Sequence, residues 1–459
     1  MQGRVTPSTA VIGISFQLET ESYRYRTPMK FGGRVVNDAT VLNATCHATL
    51  ANGQRGVGLG SMTMGVAWAW PDASLDDAMK LSVVLDLAAS LAAACESLDV
   101  SGHPVEICLE LAAQRPRIAA DVAQKHSLSA PIPELAVLLA GSVIEASLVD
   151  AQGKATSRSA YDLLSPEHLP SDLGKLLGEQ AYDGLTLDQF VSSAPVATLP
   201  LYHLVGALDP LTLEEVATPV DDGLPETLDQ WIERNELTHL KLKLAGDDAD
   251  WDLQRIIRVD EVACQTKRRG RSTGEPYFYS LDFNERCPDE DYVLDLLTEL
   301  QKRCPLGYER VQYIEQPTAR DLTRPDAVTM HRVCKLKPVV IDESLTDLNS
   351  LRMAVEQGYS GIALKACKGH AEALLLGAVA QHEKLFLCVQ DLTCVGASFL
   401  HSASLAAHIP AVAAVESNGR QYCPEGNAAW MPRYRELFEI RGGEIPTAML
   451  NGPGLGFDK

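Results

Sequence analysis

The sequence predicts an α/β protein: a (β/α)8 barrel preceded by an α+β region. Three observations predict it. After about residue 198, short apolar, β-branched or aromatic runs recur eight times. Helix-period segments separate most of them. Together they occupy about 230 residues, close to the roughly 250 that such a barrel takes.

The first half of the chain is of another kind. Alternating apolar and polar residues over 11–18 and 39–50 predict strands, and Asn52-Gly53 is a hairpin pair leading into Gly56-Val-Gly-Leu-Gly60. That glycine run follows a hairpin and opens no helix, so it is not a dinucleotide fingerprint. Residues 75–98 and 132–151, dense in Leu, Ala and Val, predict long helices. Strands first and helices afterwards is an α+β order. The eight later runs are 199–205, 237–244, 277–283, 311–314, 338–341, 361–364, 384–389 and 411–415. Between them, 289–300 places Tyr292, Val293, Leu296, Leu297 and Leu300 on one helical face after Pro288, and 346–357 stops at Gly358.

Composition narrows the function. The 459 residues hold 61 acidic and 40 basic side chains, a formal charge of −21, with 46% apolar residues. Such a chain folds rather than staying disordered, and its charge is wrong for neutralising phosphates or anionic lipid. No nucleic acid and no membrane is expected as a partner. The basic run Lys267-Arg-Arg-Gly-Arg271 reads as a solvated loop before the third barrel strand. The 11 cysteines are scattered, odd in number and without a CxxC pair, which predicts reduced, buried thiols. With no basic-then-apolar leader at residue 1 and no run of 18 apolar residues, a cytoplasmic protein is expected.

Barrel chemistry sits at the C-terminal ends of the strands, so ionisable residues there are the candidates. The second barrel strand carries Lys241 and Lys243, the third ends in Leu281-Asp-Phe-Asn284, and the fourth in Tyr313-Ile-Glu-Gln-Pro317. The fifth ends in Val340-Ile-Asp-Glu-Ser344 and the sixth in Ala363-Leu-Lys-Ala-Cys-Lys368. A single strand-end Asp or Glu is commonly a helix cap or a loop ion pair. Five successive strands ending in base, acid, acid, acid, base are hard to explain that way, because inward barrel positions are usually branched and apolar. Asp282, Glu315 and Asp342 lie about one βα unit apart and so stand on neighbouring strands. Three gathered carboxylates repel unless a cation sits among them, and an all-oxygen set suits Mg2+ or another divalent cation such as Mn2+. Lys241 and Lys243 share a strand face, each disfavouring the other's charge, which favours a neutral amine; Lys365 lies across the barrel. Tyr202, His203, Gln390, Asp391, Glu416 and Asn418 lie near other strand ends and are expected to line the substrate pocket; for His203 and Asp391 a core or capping position is the plain alternative.

As a set, the Lys-x-Lys, Asp-x-Asn, Glu-Gln-Pro, Asp-Glu-Ser and sixth-strand Lys motifs resemble the enolase superfamily, in the branch of mandelate racemase and muconate lactonizing enzyme, and most of all its muconate-lactonizing subgroup. The resemblance extends beyond the barrel. Ile144-Glu-Ala-Ser-Leu-Val-Asp-Ala-Gln-Gly-Lys154 resembles the helical entry to the barrel, Gly452-Pro-Gly-Leu-Gly-Phe457 the C-terminal tail, and residues 23–66 the capping domain, with loops near 28–33 and 58–65 that close over the substrate. Three features depart from the family. Leu387-Cys-Val-Gln-Asp-Leu392 holds no His where mandelate racemase has one, extra residues fall at 96–200 and 264–276, and the glycine pair after the sixth-strand lysines is here Gly369-His370.

The resemblance implies a TIM-type (β/α)8 barrel at 198–425, an N-terminal α+β capping domain at 1–150, a connecting segment at 151–197, and a C-terminal segment at 426–459 packing back toward the cap. It selects Asp342 over Glu343 as third ligand beside Asp282 and Glu315. It implies that Mg2+ there stabilises an enediolate while Lys243 and Lys365 handle the α-proton on opposite faces, Lys241 polarises the carboxylate, and Asn284 and Gln316 orient the ligands. The expected partner is a small carboxylate-bearing substrate, in a homo-oligomer. The expected reaction is racemisation, epimerisation or cycloisomerisation, with acid-sugar dehydration or a non-catalytic acid-binding or structural role as alternatives.

Overall fold

The computed structural model describes residues 7–31, 34–99, 101–266 and 276–459. The basic run at 267–271, most of the extra stretch at 264–276 and part of the loop at 28–33 lie outside the described residues.

Three antiparallel strands, β1 (Val11–Phe31), β2 (Arg34–Leu50) and β3 (Arg55–Thr63), form the N-terminal sheet in that order. β1 and β2 run well past the alternating stretches at 11–18 and 39–50, because their pairing extends from Val11 opposite Leu50 to Phe31 opposite Arg34, with register shifts after Val11 and between Arg24 and Met29. Backbone hydrogen bonds carry that extension, and they need no apolar face. The β2–β3 turn falls at Asn52-Gly53, where Gly53 has φ 85° and its N–H donates to the Leu50 carbonyl (2.8 Å).

The glycines of β3 have a packing role. A Cβ on Gly56, Gly58 or Gly60 would stand 2.1, 2.1 and 2.0 Å from the carbonyl oxygens of Ala151, Ser147 and Val143, one helical turn apart on the helix Glu134–Thr156. Only a strand with bare backbone every second residue can approach that helix so closely. The boundary expected at residue 150 falls inside this helix. A second long helix, Asp77–Glu96, starts at Asp76, whose carboxylate accepts from the Met79 N–H (2.6 Å). A third, Pro104–Lys125, fills part of the extra residues and is not foreseen from sequence. Its N-cap is His103, an uncommon one, and Pro116 lies inside it, which mask the signals it does carry: Pro104 at its first position, a capping box between His103 and Glu106, and Lys125 in its last turn.

The barrel consists of β4 (Leu199–Val205), β5 (His239–Lys243), β6 (Phe278–Asp282), β7 (Val311–Glu315), β8 (Val339–Ile341), β9 (Gly361–Leu364), β10 (Phe386–Val389) and β11 (Val415–Glu416), all parallel. β11 closes on β4 through Val415 opposite Leu201 and Glu416 opposite Tyr202. This is the closed eight-stranded barrel that the eight runs predict. β12 (Glu444–Ile445) adds antiparallel to β4, so the C-terminal segment joins the barrel as well as the cap. On the cap side, the Leu455 N–H donates to Asp150 (2.8 Å) and Lys154 pairs with Asp458 (2.9 Å).

All eleven cysteines are free, eight of them buried; Cys264 is exposed and Cys304 and Cys334 half-buried, so burial is not uniform. Among the described residues one helix, Asp77–Glu96, has the length and mean hydropathy of a membrane span. It buries Val83, Val84, Leu87 and Leu91 within the protein.

Buried histidines hold the helical layer behind the barrel. His370 Nδ1 meets His401 Nε2 at 2.9 Å, and Tyr161 stacks on His408 with ring centroids 3.6 Å apart. Burial lowers His401 from 6.5 to about 4. As pH falls below 6.5 the unfolded chain takes up this proton before the folded one does, so stability is lost progressively down to about 4. His401→Gln removes that contribution. Its deficit in unfolding free energy relative to the parent is expected to shrink by about 2 kcal/mol between about pH 7.5 and about pH 5, measured by denaturant titration; a pH-independent deficit contradicts the assignment.

Candidate active site

Barrel register brings the strand-end residues together. Lys243 lies opposite Asp282, and Asp282 opposite Glu315, so β5, β6 and β7 present one row. The fourth residue of the row, Asp342, directly follows β8, and Lys365 directly follows β9, four strands from β5 in the eight-stranded ring.

Each carboxylate meets a lysine. Lys243 pairs with Asp282. Lys241 reaches Glu315 (2.8 Å), Asp282 (3.2 Å) and Glu416 (3.3 Å). Lys365 pairs with Asp342 (2.7 Å), and Lys368 reaches the other oxygen of that carboxylate (3.2 Å) and its carbonyl (2.5 Å). Burial opposes charge on Lys241, but Glu315, Glu416 and Asp282 outweigh it and hold its ammonium well above the usual lysine range. The neutral amine expected from the Lys241/Lys243 pair is therefore not found at Lys241, since three carboxylates overcome one lysine neighbour. Burial likewise opposes charge on Lys365, and Asp342 raises it. Burial pushes Asp282 and Asp342 up, yet the lysines beside each bring both below the usual carboxylate range. Glu315, between them, goes the other way: burial and then the Asp282 charge hold it well above its usual value.

Asn284 and Gln316 differ in what they do. Gln316 sits at φ 31° and its amide oxygen accepts from the N–H groups of Asp342 (3.0 Å) and Ser344 (3.2 Å), while its Nε2 donates to Ser344 Oγ (2.8 Å). It thus shapes the turn that presents Asp342. Asn284, at φ 45°, acts through its backbone, its N–H donating to Asp282 Oδ1 (2.9 Å). Such left-handed conformations at both strand ends carry strain that these bonds offset. Gln390 donates to Glu315 Oε2 (2.5 Å). Asp391 accepts from the N–H groups of Asn418 (2.9 Å) and Thr393 (3.1 Å), and burial beside Glu416 pushes it up to about 8. Glu416 receives Asn418 Nδ2 (2.8 Å).

Two expected pocket residues lie elsewhere. Tyr202 packs inside the barrel with Tyr313, Val340 and Cys388, its hydroxyl on Gln312, one residue into β7. His203 points to Arg420 (2.5 Å) and Gln421 (3.1 Å) rather than into the mouth. Adjacent strand residues face opposite ways, and the chain position alone does not say which faces the mouth.

The mouth cavity is lined by Lys241, Lys243, Lys365, Asp391, Glu416 and Asn418 from the barrel, and Met29 and Trp68 from the cap. Trp68 is the participant that no barrel motif announces. Its ring lies 4.5 Å from Lys365 Nζ and 5.8 Å from Lys368 Nζ, and its Nε1 donates to Glu343 (3.2 Å). So Asp342 turns to the lysines and Glu343 to the cap; burial and the Asp342 charge push Glu343 up to about 7. Lys368, three residues after Lys365 in the same motif, is a second participant, and its place in that motif is the sequence signal for it.

Asp282, Glu315 and Asp342 suit a hard divalent cation by donor chemistry: three buried carboxylates, oxygen only, with Glu315 held above its usual value by burial and the Asp282 charge. Among the described residues no three His, Cys, Asp or Glu side chains close around a single point, and lysine ammonium groups supply the countercharge.

A family model described as Enolase C-terminal domain-like matches residues 223–458, just over half of the chain. The chain belongs to the enolase superfamily. The matching model is that of its mandelate racemase and muconate lactonizing enzyme branch, and the whole-chain fold agrees with that. Among curated proteins no sequence matches. Among solved structures, the muconate lactonizing enzyme from Pseudomonas fluorescens complexed with muconolactone is 18% identical, with 98% of this chain and 97% of that one covered and a TM-score of 0.57. The dipeptide epimerase from Enterococcus faecalis V583 complexed with Mg and L-Leu-L-Tyr is 14% identical (97% and 100% covered, TM-score 0.59). The N-succinyl Arg/Lys racemase from Bacillus cereus is 17% identical (97% and 95% covered, TM-score 0.60). At these identities the likeness is one of fold.

In this superfamily member Lys241 neutralises three buried acids at once. Lys241→Met is expected to lower the unfolding free energy by about 3–5 kcal/mol, the usual cost of leaving buried charges unpaired, measured by denaturant titration. A loss below about 1 kcal/mol removes Lys241 from the network.

Proposed function

We propose that the protein is a divalent-cation-dependent enzyme that removes the α-proton of a small carboxylate-bearing substrate and returns a proton, as a racemase, epimerase or cycloisomerase. The observation that carries this reading is the row Lys243–Asp282–Glu315–Asp342–Lys365, which puts an amine on opposite sides of a buried carboxylate set. Relatives in fold hold muconolactone or, with Mg, L-Leu-L-Tyr, which agrees with a small acid as substrate.

A substrate seated in the mouth meets Lys243 Nζ on one face and Lys365 Nζ on the other. For one stereoisomer Lys243 takes the α-proton and Lys365, held as ammonium by Asp342, delivers one; the opposite stereoisomer requires the other protonation state, with Lys365 starting as the amine and Lys243 as the ammonium. Lys241 stays charged and serves as a fixed positive charge beneath the reacting carboxylate rather than as a base. Asp282, Glu315 and Asp342 would hold Mg2+ or Mn2+, which supplies Lewis-acid stabilisation of the charge developing on the substrate carboxylate. Gln316 fixes Asp342, and Gln390 fixes Glu315. Met29 and Trp68 cover the mouth from the cap and exclude water. Eleven free thiols agree with a reducing, cytoplasmic setting.

Incubation with Mg2+ in deuterated water against acid sugars, hydroxy acids, N-acyl amino acids and dipeptides is expected to label at least one acid at its α-carbon, read by mass spectrometry. With each stereoisomer supplied separately, Lys243→Ala and Lys365→Ala are each expected to cut turnover by about 100-fold or more, and any residual exchange to favour opposite stereoisomers. No exchange across the panel would leave a binding protein in place of an enzyme. Metal binding is tested apart from turnover: Glu315→Gln is expected to weaken Mg2+ binding by calorimetry at least about tenfold, and an unchanged affinity sinks the ligand set.

A further inference from the structure

A larger cavity, of about 400 Å³, lies on the flank of the barrel between the helix Leu228–Asn235 and the C-terminal helix Met431–Phe438. We propose that it binds a small organic anion, whose oxyanion head sits on Arg234, Arg420 and Arg441 and whose apolar body lies on Trp231, Met431 and Phe438.

Arg420 lines this cavity. It is 6% exposed, and its two terminal nitrogens donate to neutral acceptors, Asn235 Oδ1 (2.8 Å) and His203 Nδ1 (2.5 Å). Its Nε is buried without a hydrogen-bond partner. Among the described residues no carboxylate lies within ion-pair distance of Arg420, Arg234 or Arg441. A buried guanidinium usually has one; Arg115 has Glu145 and Arg26 has Asp222. The one acid lining the cavity, Glu439, turns to Arg435 (3.9 Å). In a chain of net charge −21, buried Arg420 without an ion-pair partner and exposed Arg234 and Arg441 beside it line one cavity whose single acid is turned to Arg435, which leaves the site positive.

The shape agrees with an organic ligand rather than a bare ion. The Trp231 ring lies 5.0 Å from the Arg420 guanidinium carbon, making a flat wall beside the charge. The volume is within the roughly 300–1,000 Å³ range of small-molecule sites. Guanidinium groups suit planar or tetrahedral oxyanions through paired N–H donors, so a carboxylate or phosphate monoester is the class recognised. This inference is independent of the reading of the barrel mouth.

The test is calorimetric titration of the full chain with phenyl phosphate, with and without excess inorganic phosphate. Saturable one-to-one binding is expected, competed only weakly by inorganic phosphate. Because Arg420 is buried and its loss endangers the fold, the exposed pair is changed instead: Arg234→Gln/Arg441→Gln is expected to weaken binding at least about tenfold. Lys365→Ala, in the barrel mouth, is expected to leave it unaltered. The proposal is overturned if no saturable binding occurs up to about 10 mM, if binding survives the arginine changes, or if it is lost with Lys365→Ala.

Discussion

Carboxylates buried in a row need positive charge beside them, and much of this structure follows from how that need is met. Asp282, Glu315 and Asp342 are all essentially inaccessible to water. Left alone they would repel one another and shed their charge by protonation. Lysines from β5 and the segment after β9 prevent this at Asp282 and Asp342, entering from both flanks of the row, while Glu315 between them stays raised. The same lysines are the groups placed to move protons, so the stabilising and the reactive elements coincide.

The barrel alone does not complete that arrangement. Lys365 and Lys368 lie beneath Trp68 of the cap, and the turn that carries them is fixed from behind by the cap's long helix. Glu145 of that helix, paired with Arg115, accepts the N–H of Ala371 (3.0 Å), and a Cβ on Gly369 would stand 2.8 Å from its carboxylate. Glu145 therefore ties the helix to the loop holding two of the site's cations. The helix is in turn seated by the close approach of Gly56, Gly58 and Gly60. A chain of contacts thus runs from the N-terminal sheet to the lysines.

Much of this was legible in sequence, for identifiable reasons. Parallel barrel strands are buried on both faces, so they read as continuous apolar runs, and β4 to β11 lie at or within a few residues of the eight runs. The strand-end charges stood out because apolar residues are expected at such positions. The helix Pro104–Lys125 was not legible, since its N-cap is a histidine and a proline, Pro116, lies within it, although Pro104, Glu106 and Lys125 are ordinary end signals. Tyr202 and His203 were expected in the pocket on proximity along the chain. Inward and outward facing alternate by one residue, and only the closed ring fixes their phase.

The sequence by itself determined the barrel, the order of charged residues around it and the family, because these depend on local periodicity and on residue identity at strand ends. Tertiary structure decided which charges meet. It assigned Lys241 to three acids at once, turned Asp342 inward and Glu343 toward Trp68, and left buried Arg420 at a cavity with no ion-pair partner of its own. Those outcomes depend on distances of a few ångströms between residues far apart in the chain, where electrostatic energies change steeply and no sequence pattern records the separation.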